Sequence, residues 1–315
     1  MMGAKNVEFE HKPVLLEECI EGLNIKPDGI YVDGTLGGAG HSSEIVKRLS
    51  NDGLLIGIDR DLDALKAAKD RLQMYSNVKY VHGNHDDINS ILQDFGINKV
   101  DGILLDLGVS SYQLDERSRG FSYIGNAKLD MRMNQEQDLT AEIVVNTYSE
   151  EKLTQIIFDY GEERFSKNIA RNICKYRENQ KIETTEQLVE IIRNSIPKSK
   201  QNDGHPAKRT FQAIRIEVNN EIEPLKDTIK NSIDMLNEDG KLVVITFHSL
   251  EDRAVKEAML EMEGKCTCPK DLPYCVCNYE SFGKVVTKKP ILPTNKEQEE
   301  NSRSRSAKLR IFKHI

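Results

Sequence analysis

Three aspartates follow three short apolar runs, and their carboxylates can do hydrogen-bonding or acid–base chemistry. They are Asp33, Asp59 and Asp106. A carboxylate accepts hydrogen bonds from ribose hydroxyls or amino groups and can take up a proton. The runs are typical of buried strands, and ligands of open α/β sheets bind outside the carboxyl ends of strands. Each acid alone could be a strand-end turn former, but together they predict one ligand crevice.

A glycine-rich turn lies between the first apolar run and a helix pattern. Residues 34–40 hold four glycines. Glycine lets the backbone approach a ligand closely, and a helix that starts at such a turn suits a nucleotide-like ligand. Asp59 follows Gly37 at close to the roughly 20-residue spacing of an acid that binds ribose hydroxyls.

The glycine spacing leaves the ligand open. The sequence Gly-x-x-Gly-Gly-x-Gly is neither the dinucleotide fingerprint nor a Walker loop. NAD, FAD and S-adenosylmethionine therefore stay candidates, with the dinucleotides less favoured. Asp33 directly precedes the first glycine and could take the ammonium of a methionyl group, which a dinucleotide does not offer.

The elements that must position these residues alternate between strand and helix patterns. Strands are predicted at 30–33, 54–59, 78–82 and 100–106, and helices at 13–23, 41–49, 61–72 and 86–95. This alternation, with near-continuous apolar strands, is typical of a doubly wound α/β domain.

The pattern changes after the fourth strand and returns near the C-terminus. Residues 108–137 have few periodic apolar positions, four helix patterns with no strand between them follow within 139–196, and a strand pattern resumes at 241–247. The alternating stretch 307–312 suits a last strand at the sheet edge. We therefore expect an α/β domain of residues 1–113 and 221–315 with an inserted all-helical domain.

Composition describes an ordinary globular protein, with 315 residues, 38% hydrophobic and 30% charged. The net charge of −7 argues weakly against nucleic acid, but Lys and Arg outnumber Asp and Glu within 162–215 and 284–315. No apolar run approaches the roughly 20 residues of a membrane span. The first twelve residues lack the apolar stretch of a secretory signal, so we expect a cytoplasmic protein without membrane contact.

A cluster of cysteines lies late in the chain. Its members are Cys266, Cys268, Cys275 and Cys277. Four thiolates could hold one structural zinc ion, but Cys-x-Cys pairs are less typical of such sites than Cys-x-x-Cys pairs. Free thiols are the default in a cytosolic chain, and we expect no metal.

Three blocks of sequence closely resemble the bacterial ribosomal RNA small-subunit methyltransferase H family, also called MraW. The blocks are residues 31–42 (YVDGTLGGAGHS), residues 101–111 (DGILLDLGVSS) continuing to 119–122 and 129–133 (LDMRM), and residues 205–215 (HPAKRTFQAIR) with 247–253 (FHSLEDR). Together they span nearly the whole chain, and several of the strings are specific.

The resemblance implies a Rossmann-like class I methyltransferase sheet and S-adenosylmethionine as methyl donor. The acceptor would be the N4 amino group of a cytosine in the decoding region of 16S ribosomal RNA. Carried over by position, the cofactor contacts fall on Ala39, Gly40, His41, Asp59, His85, Asp106 and Gln113. Two of these depart from the family pattern: Ala39 replaces a common glycine, and His85 replaces a phenylalanine that would pack near the adenine.

The chemistry of amino methylation suggests roles for a few residues. Asp106, or a carbonyl just after it, could accept a hydrogen bond from the cytosine amino group. His248 follows a predicted strand and could position the base or relay the proton; the alternative is a hydrogen-bonded strand-end histidine. No Pro-Cys pair occurs and no cysteine is near Asp106 in the sequence, which argues against the cysteine nucleophile of carbon-5 methylation.

The helical insertion has two interpretations. It could bind RNA, with phosphate contacts at Arg164, Lys167, Arg171, Lys208, Arg209 and Arg215 and with stacking of the unstacked base on Phe121, Tyr123 or Arg132. It could instead be a stabilising cap over the sheet. Alternatives to an RNA methyltransferase are a non-catalytic ribosome-assembly factor and a dinucleotide-dependent oxidoreductase. We expect the small ribosomal subunit as partner, and a monomer or weak homodimer.

Overall fold

The computed structural model describes residues 13–201, 204–264, 268, 272, 274 and 280–315. The chain divides into two compact units. One contains Met1–Leu107 and Lys226–Ile315, and the other contains Gly108–Leu225. We call them the sheet unit and the helical unit.

Seven strands form the single sheet of the sheet unit. They are β1 (Ile30–Asp33), β2 (Leu54–Asp59), β3 (Val78–His82), β4 (Val100–Asp106), β5 (Leu236–Thr246), β6 (Gly283–Val285) and β7 (Lys308–His314). Their order is β3-β2-β1-β4-β5-β7-β6. The first five strands are parallel, and β7 runs antiparallel to both β5 and β6.

Helices connect the strands and build the second unit. Those before the insertion are α1 (Leu16–Leu23), α2 (Gly40–Val46), α3 (Leu62–Arg71) and α4 (Ile88–Asp94). The helical unit holds α5 (Ser111–Asp115), α6 (Ala141–Thr147), α7 (Glu150–Asp159), α8 (Ser166–Arg177), α9 (Thr185–Ser195) and α10 (Lys208–Asn219). After it come α11 (Leu225–Asp234), α12 (Ser249–Glu263) and α13 (Asn295–Glu300). None of the helices among the described residues is long and apolar enough to cross a membrane.

Burial of the apolar side chains on the central strands stabilises the sheet. Ile103, Leu104 and Leu105 are consecutive on β4 and fully buried, so both faces of the strand are covered. Each such side chain contributes about 1.5–3 kcal/mol by leaving water. The carboxyl end of β4, where Asp106 lies, is therefore a rigid position for a functional group.

The predicted doubly wound α/β sheet is confirmed, with one correction. We expected 307–312 to form the sheet edge, but β7 lies between β5 and β6. The true edge, β6, has only three residues, one of them a glycine, and carries too little pattern to predict.

The helical unit has its own apolar core. Leu153, Ile169, Leu188 and Ile214 lie on four different helices and are fully buried in one cluster. Capping residues set the helix starts: the Thr184 hydroxyl accepts a hydrogen bond from the Gln187 N–H at the start of α9. The assignment of RNA recognition to residues 114–220 stays a prediction.

Candidate active site

The glycine loop leaves β1 in a conformation that its sequence makes possible. A Cβ on Gly34 would lie 2.5 Å from Cδ2 of Leu105, so the backbone passes too close to β4 for any side chain. Gly37 has a φ of 50° and Ala39 a φ of 57°. A Cβ on Gly38 would meet nothing within 4 Å. The loop is therefore closed against the sheet at one end and open at its centre, as a ligand cradle requires.

Asp33 stabilises this loop through hydrogen bonds of its buried side chain. Only 2% of its surface is exposed. Its carboxylate accepts hydrogen bonds from the Ser42 hydroxyl at 2.7 Å and from the Thr35 N–H at 3.2 Å. Burial raises the pKa of Asp33. The side chain thus shapes the loop, and because it is almost fully buried it has little surface for a ligand; its contact with a methionyl ammonium stays a prediction.

Asp59 joins the loop to the end of β2. One carboxylate oxygen accepts the Gly37 N–H at 2.7 Å and the other accepts the Asp61 N–H at 2.8 Å. Burial raises the pKa of Asp59 to about 6, so the group is mostly ionised at neutral pH. Because each carboxylate oxygen can accept more than one hydrogen bond, Asp59 can also accept hydroxyl donors.

Asp106 is the most perturbed acid at this edge. Its N–H donates to Oγ1 of Thr35 at 2.6 Å, which fixes its backbone. Its Oδ1 is buried and receives no hydrogen bond from any residue that the structure describes. Burial, followed by the negative charges of Asp33 and Glu251, raises the pKa of Asp106 to about 8. A buried oxygen of this kind is typical of a functional site.

Replacing Asp106 by Asn is expected to stabilise the protein at alkaline pH. The carboxyl has a pKa of 3.8 when exposed and about 8 in the fold. Between these values only the unfolded chain loses the proton, so wild-type stability falls as pH rises through this window. Above it, we expect a higher Tm for Asp106→Asn, by about 2–4 °C per kcal/mol relieved. Below the window the two Tm values should converge.

Thermal unfolding followed by circular dichroism across this pH range measures the difference. Asp52→Asn, at an exposed position, is the matched control and should leave Tm unchanged. A less stable Asp106→Asn variant at alkaline pH would contradict the burial cost of this carboxylate.

His41 turns its side chain away from the loop surface. Only 6% of the residue is exposed. Its Nε2 lies 3.0 Å from the Val14 carbonyl oxygen, and its Nδ1 lies 3.7 Å from Oδ2 of Asp106. A ligand in the loop would therefore meet the backbone of His41 rather than its imidazole.

His85 lies on the other side of the glycine loop. A Cβ built on Gly34 would lie 3.1 Å from the Cβ of His85, so His85 begins its side chain directly beside the turn. Nδ1 of His85 lies 3.0 Å from Oδ1 of Asp86, which also accepts the Thr228 hydroxyl at 2.6 Å. Although burial acts to raise it, these contacts lower the pKa of Asp86. The ring therefore lies beside an ionised carboxylate.

His248 is the N-cap of α12. Both of its ring nitrogens face Glu251: Nδ1 accepts the backbone N–H at 3.4 Å, and Nε2 lies 2.9 Å from the carboxylate. The other carboxylate oxygen of Glu251 accepts the Phe247 N–H at 2.7 Å. The structure thus contains the hydrogen-bonded histidine that was the alternative to a catalytic one, and it brings Glu251 into the electrostatic environment of Asp106.

One cysteine is closer to the site than the sequence suggested. Cys19 on α1 is fully buried, and burial, together with the charges of Asp106, Glu18 and Asp33, raises its thiol pKa well above the usual value. The charge of Asp106 thus acts on one buried cysteine, although no cysteine lies near Asp106 along the chain. Because this thiol is protonated and inaccessible, it is not an activated nucleophile.

The remaining predicted residues lie in the helical unit. Gln113 is buried in α5, where its side-chain oxygen accepts the Ser110 N–H at 3.0 Å. Phe121 belongs to the apolar core, and Arg132 forms a bidentate ion pair with Asp130. Neither is placed for base stacking.

Tyr123 and Arg215 have contrasting surroundings in the same unit. Tyr123 stacks on His205, with ring centroids 4.4 Å apart. Arg215 is paired with Glu221 through two contacts of 2.9 and 3.0 Å. The predicted phosphate contact of Arg215 is therefore not supported, whereas Tyr123 stays a candidate for stacking.

Comparison with known proteins identifies the family of the chain. The family model described as the MraW methylase family matches residues 8–315. The chain belongs to this family. Ribosomal RNA small subunit methyltransferase H of Clostridium botulinum strain Kyoto is 60% identical over 98% of the chain and 100% of the relative. The protein of the same name from Lachnospira eligens is 58% identical over 98% and 99%.

A distant similarity is found to a solved structure. A crystal structure of an rRNA methylase from Streptococcus thermophilus aligns with a TM-score of 0.41 and 10% identity, over 95% of this chain and 93% of that one. Membership of the MraW methylase family confirms the resemblance found in the sequence and makes the chain a methyltransferase.

Several residues of this MraW methylase site escaped sequence reasoning. The Thr35 hydroxyl accepts the Asp106 N–H, and the Ser42 hydroxyl donates to the Asp33 carboxylate. The Glu251 carboxylate lies against the His248 ring. A signal existed for one of them: a glutamate three residues after a helix-capping position is the spacing of a capping box. Nothing in the local sequence reveals the other two contacts.

The cysteine cluster stays a prediction. Cys266, Cys275 and Cys277 lie outside the described residues. Within the part of the chain that the structure describes, no group of three or more His, Cys, Asp or Glu side chains could hold a metal ion.

Proposed function

We propose that this methyltransferase transfers a methyl group from S-adenosylmethionine to the N4 amino group of a cytidine in the decoding region of 16S ribosomal RNA, in the cytoplasm. The observation that carries the proposal is the buried Oδ1 of Asp106 beside the glycine loop, which has no hydrogen-bond partner among the described residues. The names of the relatives, both ribosomal RNA small subunit methyltransferases, support the substrate class.

The loop fits the proposed cofactor. Its open centre at Gly38 leaves room for a ligand, and Ala39 and Gly40 stay predicted contacts. The Asp59 carboxylate suits two ribose hydroxyls, because it is mostly ionised at neutral pH. The imidazole of His85 offers a flat surface for an adenine. S-adenosylmethionine supplies the methyl group as an electrophile on a cationic sulfur, and Gln113 remains a predicted contact.

Asp106 suits the acceptor side of the reaction. The cytosine amino nitrogen is a poor nucleophile, because its lone pair is delocalised into the ring. A hydrogen bond from the amino group to Oδ1 of Asp106 concentrates electron density on nitrogen and gives the departing proton a destination. Holding the amino group in line with the methyl group supplies the rest of the acceleration.

His248 is proposed to position the base or relay its proton. We expect His248→Asn to lower methyl transfer by about tenfold or more while keeping the helix cap, since Asn is a strong N-cap. His248→Ala removes both functions and should also lower Tm. The measurement is transfer of labelled methyl at saturating cofactor. Near-wild-type transfer by His248→Ala with unchanged cofactor affinity would exclude the role.

The helical unit is proposed to bind RNA phosphates. Arg164, Lys167, Arg171, Lys208 and Arg209 are all exposed. The last two begin α10, where the Arg209 guanidinium lies 3.5 Å from the Glu162 carbonyl oxygen. Lys and Arg at the surface release counterions from RNA when they meet phosphates. The target base must be unstacked to react, and Tyr123 is the proposed stacking partner.

Charge reversal tests this surface. The double variant Lys208→Glu/Arg209→Glu is expected to weaken RNA binding by about tenfold or more and to flatten its dependence on salt, because two phosphate contacts are lost. Binding to a decoding-region RNA by fluorescence anisotropy at several salt concentrations gives both quantities. Lys79→Glu, on β3 of the sheet unit, is the matched exposed control. Unchanged affinity and salt slope in the double variant would favour the stabilising cap instead.

Calorimetry and a methyl-transfer assay separate the proposal from its alternatives. S-adenosylmethionine should bind, and NAD should not. Methyl transfer to small ribosomal subunits should follow. Binding of RNA without transfer would favour the assembly factor, and binding of NAD in place of S-adenosylmethionine would favour the oxidoreductase.

A further inference from the structure

One side-chain hydroxyl joins the glycine loop to the strand that ends in Asp106. Oγ1 of Thr35 accepts the backbone N–H of Asp106 at 2.6 Å, between residues 71 positions apart in the sequence. Thr35 lies at the start of the loop that is proposed to hold the cofactor, and Asp106 is the proposed acceptor of the amino proton. The hydroxyl therefore connects the supports of the two reacting groups.

This hydroxyl stands where a backbone carbonyl would otherwise accept. The Gly34 N–H donates to the Leu104 carbonyl oxygen at 2.9 Å, which continues the parallel pairing of β1 with β4. The regular parallel pattern would next have the Asp106 N–H donate to the Gly34 carbonyl oxygen. β1 ends at Asp33, however, and the chain turns into the loop. The Asp106 N–H is bonded to the Thr35 side chain instead.

Thr35 is held on both sides by backbone hydrogen bonds. Before it, Gly34 is bonded to β4, and after it the Leu36 N–H donates to the Ile58 carbonyl oxygen of β2 at 3.0 Å. Its own N–H donates to Oδ1 of Asp33 at 3.2 Å. Because these bonds involve the backbone around Thr35, the position of its hydroxyl is set by three strands of the sheet.

The backbone of Asp106 is bonded on its other side as well. Asp106 pairs with Ile245 of β5, and the Leu107 N–H donates to the Ile245 carbonyl oxygen at 3.0 Å. Oδ1 of Asp106 is buried and has no hydrogen-bond partner among the described residues. Since no such bond orients Oδ1, its direction depends on the backbone that carries it, and Thr35 fixes one side of that backbone.

Resting on the proposed methyl transfer, we propose that Thr35 is a positioning residue whose hydroxyl sets the Asp106 carboxylate relative to the cofactor loop. The amino nitrogen must meet the methyl group and Oδ1 of Asp106 at the same time. A displacement of about 1 Å can cost about 100-fold in rate. A direct bond between the loop and the end of β4 keeps this geometry. The hydroxyl itself makes no bond to the reacting atoms and moves no proton.

Thr35→Val and Thr35→Ser separate the hydroxyl from the shape of the side chain. Valine keeps the branched shape without the acceptor, and serine keeps the acceptor. We expect kcat for methyl transfer to small ribosomal subunits to fall by about 10–100-fold in Thr35→Val and to stay within about threefold of wild type in Thr35→Ser.

Cofactor affinity provides the second readout. The Kd of S-adenosylmethionine, measured by calorimetry, should change by less than about threefold in both variants, because the bond from the Thr35 N–H to Asp33 does not use the side chain. Thr154→Val is the matched control. It removes a hydroxyl that is bonded within α7, to the Glu150 carbonyl oxygen at 2.8 Å, and should keep the wild-type rate.

The outcomes distinguish this role from the proposed function. A wild-type rate in Thr35→Val, or an equal loss in Thr35→Ser, would overturn the positioning role alone. No transfer by the wild type would overturn the proposed function and the positioning role with it. Hydrogen exchange of the Asp106 amide, followed by NMR, is independent of activity: we expect slow exchange in the wild type and faster exchange in Thr35→Val. Fast exchange in the wild type would overturn the proposal.

Discussion

Asp106→Ala is expected to lower the rate of methyl transfer by about 10²–10⁴-fold, the range that a general base supplies. The variant removes the buried Oδ1, which has no other hydrogen-bond partner among the described residues, and with it the proposed acceptor of the amino proton. The fold should persist, because the backbone N–H of Asp106 keeps its bond to Thr35. The measurement is single-turnover transfer of labelled methyl at saturating cofactor, which separates chemistry from binding.

Asp106→Asn is the matched control for this loss. The amide keeps an oxygen that can accept a hydrogen bond but cannot take up a proton at neutral pH. We therefore expect an intermediate rate and a kcat/KM that no longer rises with pH. In the wild type, kcat/KM should rise as pH passes about 8, where Asp106 of the free protein ionises. An Asp106→Ala variant with a near-wild-type rate would remove Asp106 from the chemistry.

Asp59→Ala is expected to weaken cofactor binding by about 10–100-fold, since hydrogen bonds to a charged group contribute about 1.5–3 kcal/mol each. Two effects add: the ribose loses its proposed acceptor, and the Gly37 N–H loses its own partner, which loosens the loop. Calorimetry with S-adenosylmethionine gives the Kd. Asp70→Asn, at an exposed position on α3, is the control.

The pH dependence of cofactor affinity provides an independent check on Asp59. Its pKa of about 6 in the fold means that the carboxylate is protonated as pH falls below this value. A protonated carboxyl accepts hydroxyl donors less well, so wild-type affinity should decline with decreasing pH and Asp59→Ala should show a flatter profile. Equal affinity of wild type and variant across this range would show that Asp59 does not contact the ribose.

Much of the secondary structure of the sheet unit can be predicted from the sequence, because short runs of neighbouring residues determine it. Strands β1, β2 and β4 are apolar runs that end in aspartate, and parallel strands must present those ends at one edge. The position of β7 is not predictable in this way. Its alternating pattern identifies a strand, but its neighbours depend on β6, which is too short to recognise.

The electrostatics of the site depend on contacts between distant parts of the chain. Cys19, Asp33, Asp106 and Glu251 come from four different elements, and no spacing in the sequence predicts that they share one environment. The burial of the His41 side chain is also tertiary, because its hydrogen bond to Val14 depends on how α1 packs beside α2. Residue types indicated the candidates, and packing determined their protonation.

In the helical unit, too, tertiary contacts decide which candidate residues are available. Phe121 and Arg132 have the right chemistry for base stacking. However, Phe121 is buried in an apolar core and Arg132 is paired with Asp130. Arg215 likewise has the charge for a phosphate contact and is neutralised by Glu221. A basic or aromatic residue is a candidate from its type alone, and only its partners show whether it is available.

The most direct test is mass spectrometry of nucleosides from small ribosomal subunits incubated with the wild-type protein and S-adenosylmethionine that carries a deuterated methyl group. The expected product is N4-methylcytidine with the deuterated methyl, from a single position in the decoding region, and it should be strongly reduced with Asp106→Ala. Label on carbon-5 of cytosine or on a ribose hydroxyl, or no label in ribosomal RNA, would contradict transfer to the amino nitrogen.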